Sequence, residues 1–249
     1  INAFDDEYHA LCERVLGTGI KSEDRTGCGT ISKFGEHLKF DLRTGFPLIT
    51  TKKLNFKHIV NELLWLYSPK CFDLYALPEE SQFLWKPWAD ENGYLGPIYG
   101  VNIRSWYVDR DKPPIDQLAL LIDNIKKNPY SRRHVITAWH VSLLDEMSLV
   151  PCHAVSVQFY IRNDELSCQV YIRSMDVYND SRYIAMYAIL TNMIAQLVDL
   201  QVAELVICLG DVYVKINDIE LATEELKQTS LVAPQLRINK IVCNFDEFS

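Results

Sequence analysis

The chain has 249 residues and a formal net charge of −8, and this acidic balance argues against a general nucleic-acid or anionic-membrane surface. It contains no apolar run of about eighteen residues and no signal-peptide pattern, and its seven cysteines lack the spacing of a disulfide framework or a zinc site, so a cytoplasmic protein without bound metal is expected. No Pro/Gly/Ser-rich or low-complexity stretch divides the chain, so residues 1–249 read as one domain acting on a small substrate.

Apolar periodicity predicts helices over 4–16 and 59–67. In the second, Glu62 stands three residues after Ile59 and four before Leu66, on the apolar stripe. Either the helix rolls enough to bring Glu62 to solvent, or the carboxylate is buried, a setting suited to proton transfer through water. Trp85 and Trp88 read by default as packing. A further helix is predicted over 115–127, carried by Ile115, Leu118, Ile122 and Ile125 and stopped at Lys126-Lys127-Asn128-Pro129. Ser131-Arg132-Arg133 then reads as an exposed basic patch, and 134–139 as a strand.

The most informative stretch is Pro151-Cys152-His153, which opens a predicted strand continuing to Tyr160. Two-residue alternation puts Cys152, Ala154, Ser156, Gln158 and Tyr160 on one face. A turn at Arg162-Asn163-Asp164 leads to a second strand over 166–173, with Leu166, Cys168, Val170 and Ile172 on its apolar face and Ser167, Gln169, Tyr171 and Arg173 on the other. That polar face is either solvated or the wall of a pocket. Cys152 is either a small buried hydrophobe or a nucleophile whose thiolate is favoured by arginine charge. The apolar run 187–200 predicts a helix buried on all sides, and 205–209 and 236–242 read as strands.

Nine collinear blocks then carry a resemblance. They are Asp24-Arg25-Thr26-Gly27-Cys28-Gly29-Thr30, Gly45-Phe46-Pro47-Leu48-Ile49-Thr50-Thr51-Lys52-Lys53, Asn61-Glu62-Leu63-Leu64-Trp65, Trp88-Ala89-Asp90-Glu91-Asn92-Gly93 and Gly96-Pro97-Ile98-Tyr99-Gly100, followed by Ser131-Arg132-Arg133, Pro151-Cys152-His153, Arg173-Ser174-Met175-Asp176 and Gly210-Asp211. Over nearly its whole length the chain resembles thymidylate synthase and its nucleotide hydroxymethylase relatives. The resemblance implies an α/β (α+β) single-domain fold, a large mixed sheet packed against helices, and two subunits paired sheet to sheet.

The resemblance also implies roles. Cys152 matches the thiolate that adds to C6 of a pyrimidine nucleoside monophosphate, making C5 able to attack a one-carbon unit from 5,10-methylenetetrahydrofolate. Arg25, Arg132, Arg133, Arg173 and Ser174 match the phosphate-binding group, with Arg132 and Arg133 reaching across from the partner subunit; guanidinium forks suit a phosphate dianion. Glu62, Tyr99 and His153 match the proton and water network. Asp176 matches the residue that binds the pterin ring, and Trp85 and Trp88 match aromatic residues near the folate. Gln158 is expected beside the thiol by strand alternation.

The departures bear on activity. The family's Gly-x-Pro-Phe-Asn segment is replaced by Val177-Tyr178-Asn179-Asp180-Ser181-Arg182-Tyr183-Ile184, one residue shorter, with Tyr183 at the place of the base-reading asparagine and Asn179 or Asp180 as candidate replacements. The His-x-Tyr pair that binds the sugar becomes Tyr213-Val214-Lys215. Ile172 precedes the phosphate-site arginine where the family usually has glutamine. The thiol and phosphate groups remain while base and sugar recognition change, which suits a C5-hydroxymethylase of dUMP, dCMP or CMP, with water adding where the synthase transfers hydride. Thymidylate synthase itself is the alternative, and a non-catalytic nucleotide-binding relative a third reading.

Overall fold

The computed structural model describes residues 2–23, 27–108 and 111–248. Among them a seven-stranded sheet runs in the order β1-β2-β7-β6-β5-β4, with β3 also paired to β7. The strands are β1 (Ile20–Ser22), β2 (Thr30–Phe34), β3 (His37–Asp41), β4 (Val135–Ile136), β5 (Ser156–Arg162), β6 (Glu165–Asp176) and β7 (Gln201–Lys215). All neighbours are antiparallel except β6 and β7, and that parallel pair is joined by the helix α5 (Arg182–Leu197). The sheet is thus mixed, and helices cover one of its faces, as the resemblance implies.

Local chemistry sets the helix boundaries. α1 (Ala3–Thr18) starts where the Asn2 side chain accepts from the Phe4 amide, and Asp5 and Asp6 in its first turn suit the positive end of the helix dipole. α2 (Phe56–Leu66) is capped by Asn55, which accepts from the Lys57 and His58 amides. α4 (Gln117–Lys127) begins two residues later than the sequence suggests, because Asp116 is the cap and accepts from the Ala119 amide. Ile115 therefore stays extended and bridges Trp106. α3 (Tyr99–Arg104) and α6 (Ile219–Glu225) are short.

α5 is the buried helix anticipated near 187–200, starting five residues earlier than predicted. Thirteen of its sixteen residues are buried, so it packs on every side, including against β6, β7 and α2. The alternation of β6 holds: Leu166, Cys168, Val170 and Ile172 are buried, while Gln169 and Tyr171 face outward. Three strand expectations are corrected. The stretch 134–139 contributes only Val135–Ile136. The stretch 236–242 forms no strand; the Lys240 carbonyl accepts from the Gln196 side chain on α5 instead of from a neighbouring strand. The strand expected from Cys152 begins at Ser156, because Ala154 sits at φ 52°, where alternation between faces breaks down. Cys152 and Gln158 therefore do not share a strand face.

Beyond Ile172 the burial of β6 changes phase, and β7 does the same at Gly210. A Cβ at Gly210 would lie 2.6 Å from the Arg173 carbonyl oxygen, so only glycine permits the two strands to approach this closely. On the far side of this kink Arg173 and Ser174 from β6, and Asp211, Tyr213 and Lys215 at alternate positions of β7, turn to one cleft.

Candidate active site

That cleft has a volume of about 630 Å³. Its walls combine Cys152 and the β6 and β7 side chains with Leu84, Trp85, Trp88 and Leu149, and with Asp180, Arg182 and Tyr183 from the connection into α5. Cys152 belongs to a loop braced from two sides. The Tyr99 hydroxyl accepts from the Cys152 amide at 3.0 Å and lies 3.5 Å from its sulfur. Arg173 donates from Nε to the Pro151 carbonyl at 2.9 Å and from Nη2 to the Val150 carbonyl at 3.1 Å.

The electrostatics correct one expectation. Burial pushes the Cys152 thiol above its ordinary pKa; the Tyr99 and Tyr183 hydroxyls and Arg173 pull it down, and the Asp180 carboxylate pushes it further up. Within one chain, then, arginine charge does not outweigh desolvation at this sulfur, in part because Arg173 is directed at backbone carbonyls. His153 is fully buried between the rings of Tyr99 and Tyr183, with centroids 4.6 and 4.2 Å away. Its Nδ1 meets the Tyr187 hydroxyl at 2.6 Å, and its Nε2 has no hydrogen-bond partner among the described residues. Burial, aided by the Arg182 charge, pulls its pKa down to about 3, so the imidazole is neutral at pH 7.

Glu62 is fully buried, the second of the two alternatives that its place on the apolar stripe of α2 left open. Its Oε1 accepts from Trp85 Nε1 at 3.0 Å and its Oε2 from Arg182 Nε at 3.0 Å. Glu62 itself does not line the cleft; Trp85 and Arg182 do. The Arg182 guanidinium also donates to Asp180 at 2.6 Å, to the Asn179 carbonyl at 3.2 Å and to the Tyr183 hydroxyl at 3.2 Å. Burial works against its charge, but Tyr183, Glu62 and Asp180 outweigh that effect and keep it protonated. Tyr183, at the place of the family's asparagine, points its hydroxyl at Cys152, 3.9 Å from the sulfur. Of the candidates to replace that asparagine, Asp180 lines the cleft. Asn179 instead donates to Asp176 and Asp218 and braces the loop.

The remaining residues divide into two groups. Ser174, Tyr213 and Lys215 line the cleft with Arg173, and Trp88 presents a ring that is 40% exposed. Asp176 is buried, engaged by Lys215 at 3.2 Å and by Asn179, and is absent from the cleft wall. Gln158 lies outside the cleft on β5, opposite Gln169 and Val135. Arg132 and Arg133 are exposed in the connection between α4 and β4 and are not part of this cleft. Arg25 lies outside the described residues. Sequence reasoning assigned no role to Arg182, although a signal was present: a cation opening an otherwise apolar helix opposes the helix dipole and calls for anionic partners.

A family model described as thymidylate synthase matches residues 6–249. The chain belongs to the thymidylate synthase family. Membership supports one-carbon transfer to a pyrimidine nucleotide with methylenetetrahydrofolate as co-substrate. Within this thymidylate synthase family site, the sulfur, Arg173, Ser174 and the two tryptophans line one cleft, and Asp180, Arg182 and Tyr183 line it too, with the Tyr183 hydroxyl 3.9 Å from the sulfur. Among the described residues no helix is long and apolar enough to cross a membrane, and no group of three or more His, Cys, Asp or Glu side chains is placed to hold a metal ion.

Proposed function

We propose that this chain hydroxymethylates C5 of a pyrimidine nucleoside 5′-monophosphate, with Cys152 as the nucleophile that adds to C6. The observation that carries this reading is the ionic wall beside the sulfur. Asp180, Arg182 and Tyr183 stand where the family's Gly-x-Pro-Phe-Asn loop is expected, and charged groups keep water where an apolar loop excludes it.

The residues fit both substrates. Arg173, Ser174 and Lys215 offer cationic and hydroxyl donors for the phosphate. The exposed Trp88 ring with Leu84 and Leu149 forms an apolar wall suited to a pterin. Methylenetetrahydrofolate supplies the carbon at the formaldehyde level. The sulfur bonds C6, C5 bonds the donated CH2 as the bonds from that carbon to the folate nitrogens break, and the C5 proton is taken up by a base, the role assigned to Glu62 with Tyr99. Water oxygen then bonds the CH2, and the sulfur–C6 bond breaks to restore Cys152. The net change replaces H at C5 with CH2OH and consumes one water, and the folate leaves as tetrahydrofolate.

A homodimer is part of this proposal. The outward face of the sheet carries Gln158, Tyr160, Gln169 and Tyr171, with Tyr160 51% exposed, and pairing through it supports delivery of Arg132 and Arg133 to the other subunit's phosphate. A second phosphate-directed set of guanidinium groups would lower the thiol pKa that burial raises in the single chain.

Methyl transfer to dUMP is a second reading, favoured by the apolar Trp85, Trp88, Leu84 and Leu149 side chains of the same cleft, which would exclude water from a carbon held against them. The deciding experiment incubates the enzyme with methylenetetrahydrofolate and each of dUMP, dCMP, UMP and CMP. A product heavier by CH2O without dihydrofolate absorbance supports hydroxymethylation; a product heavier by CH2 with equimolar dihydrofolate overturns it. Cys152→Ser should abolish release of tritium from C5 while leaving phosphate-dependent binding, and retained release removes Cys152 from the nucleophile role.

A further inference from the structure

We propose that Arg182 is a positioning residue for the one-carbon chemistry, acting through Glu62 and Tyr183; this rests on the reading that Glu62 serves proton transfer at this cleft. Arg182 opens α5, where a cation opposes the helix dipole, yet its side chain is only 21% exposed. Such a placement is costly unless every charge nearby is paired.

The donors account for the geometry. A guanidinium has five N–H groups in a rigid plane. Nε is given to Glu62, Nη1 to Asp180 and the Asn179 carbonyl, and Nη2 to the Tyr183 hydroxyl, while the plane lies 4.5 Å from the Tyr183 ring. Four directions are therefore fixed by four partners on α2, on the connection after β6 and on α5. A lysine in the same place supplies charge but not the planar fork.

Glu62 sits behind the cleft wall, and Arg182 connects it to the sulfur. The path runs from Glu62 Oε2 to Arg182, from Arg182 Nη2 to the Tyr183 hydroxyl at 3.2 Å, and from that hydroxyl to Cys152 Sγ at 3.9 Å. Each carboxylate oxygen of Glu62 keeps a lone pair beyond the one that Trp85 or Arg182 uses. Arg182 thereby sets both the aim of the carboxylate and the position of the hydroxyl over the thiol.

The test is a double-mutant cycle of Arg182→Ala and Glu62→Gln, read by tritium release from C5 and by steady-state kinetics. Arg182→Ala should lower kcat about 100-fold, within the range for a proton-transfer apparatus, and leave the nucleotide KM within about twofold. The double variant should lose no more than the worse single variant. Guanidinium chloride added to Arg182→Ala should restore turnover where the same concentration of sodium chloride does not. Multiplying losses in the cycle, or a raised KM with unchanged kcat, overturns the proposal. Should Arg182→Ala fail to fold, the cycle with Arg182→Lys reads the same coupling. Tritium release does not depend on which group is finally attached at C5, so an active wild type with independent losses refutes Arg182 alone. A wild type that releases no tritium from any of the four nucleotides refutes the functional reading and this role with it.

Discussion

Lowering the pH should destabilise this fold through His153, by an amount the structure sets. The ring is fully buried, its Nδ1 is paired with Tyr187, and its pKa is pulled down to about 3 by burial and Arg182. In the unfolded chain the same ring protonates at about 6.5. Between these values the unfolded state binds one more proton, so stability is fully present above about pH 6.5 and falls as pH drops, levelling off near pH 3. The slope is about 1.4 kcal/mol per pH unit, giving a loss on the order of 3 kcal/mol by about pH 4. The assay is urea denaturation from about pH 7 to about pH 4 for the wild type and His153→Phe. The variant loses the Tyr187 bond at every pH but keeps every other titrating group, so the difference between the two curves isolates the ring. A difference that stays constant across this range refutes the reasoning.

Trp85→Phe removes the N–H held at 3.0 Å by Glu62, a hydrogen bond to a buried charged group. It should cost about 1.5 to 3 kcal/mol, seen by calorimetry as a fall of about 2 to 4 °C for each kcal/mol. Asn163 and Asp164 form the two-residue connection between β5 and β6 with φ values of 52° and 60°. Asp164→Gly should therefore stabilise the protein, by about 0.5 to 1 kcal/mol in urea, and a loss of stability would show that the side chain contributes more than the strain. Arg173→Ala frees the Val150 and Pro151 carbonyls and removes a cation from the cleft. Nucleotide affinity should fall by about 2 to 5 kcal/mol by titration calorimetry, and unchanged affinity removes Arg173 from the phosphate site.

The parts of this protein that follow a period were legible in the sequence. Glu62 on the stripe of α2, the buried α5 and the apolar face of β6 all follow from spacing, because their surroundings repeat along the element. The nine blocks identified the family and six residues of the cleft wall, Thr30, Trp88, Cys152, Arg173, Ser174 and Asp211. What escaped was set by single backbone angles and by partners distant in sequence. The positive φ of Ala154 separates Cys152 from Gln158, and no spacing rule anticipates it. The Arg182–Glu62 pair joins residues 120 positions apart, on helices that the sequence alone does not bring together. The state of the thiol depends on the depth of burial as much as on nearby charge, and depth belongs to the whole fold.

The short connection between β6 and α5 is clamped at both ends. Asp176 is in register with Tyr213 on β7, and the helix that follows is buried in the interior. The residues between these anchors are tied in as well: Asn179 donates to Asp176 and Asp218, and Asp180 accepts from the Asp176 amide and from Arg182. A change at Asn179 or Asp180 therefore reaches Arg182 and, through it, the Tyr183 hydroxyl beside the sulfur, so the connection and the nucleophile's surroundings change together.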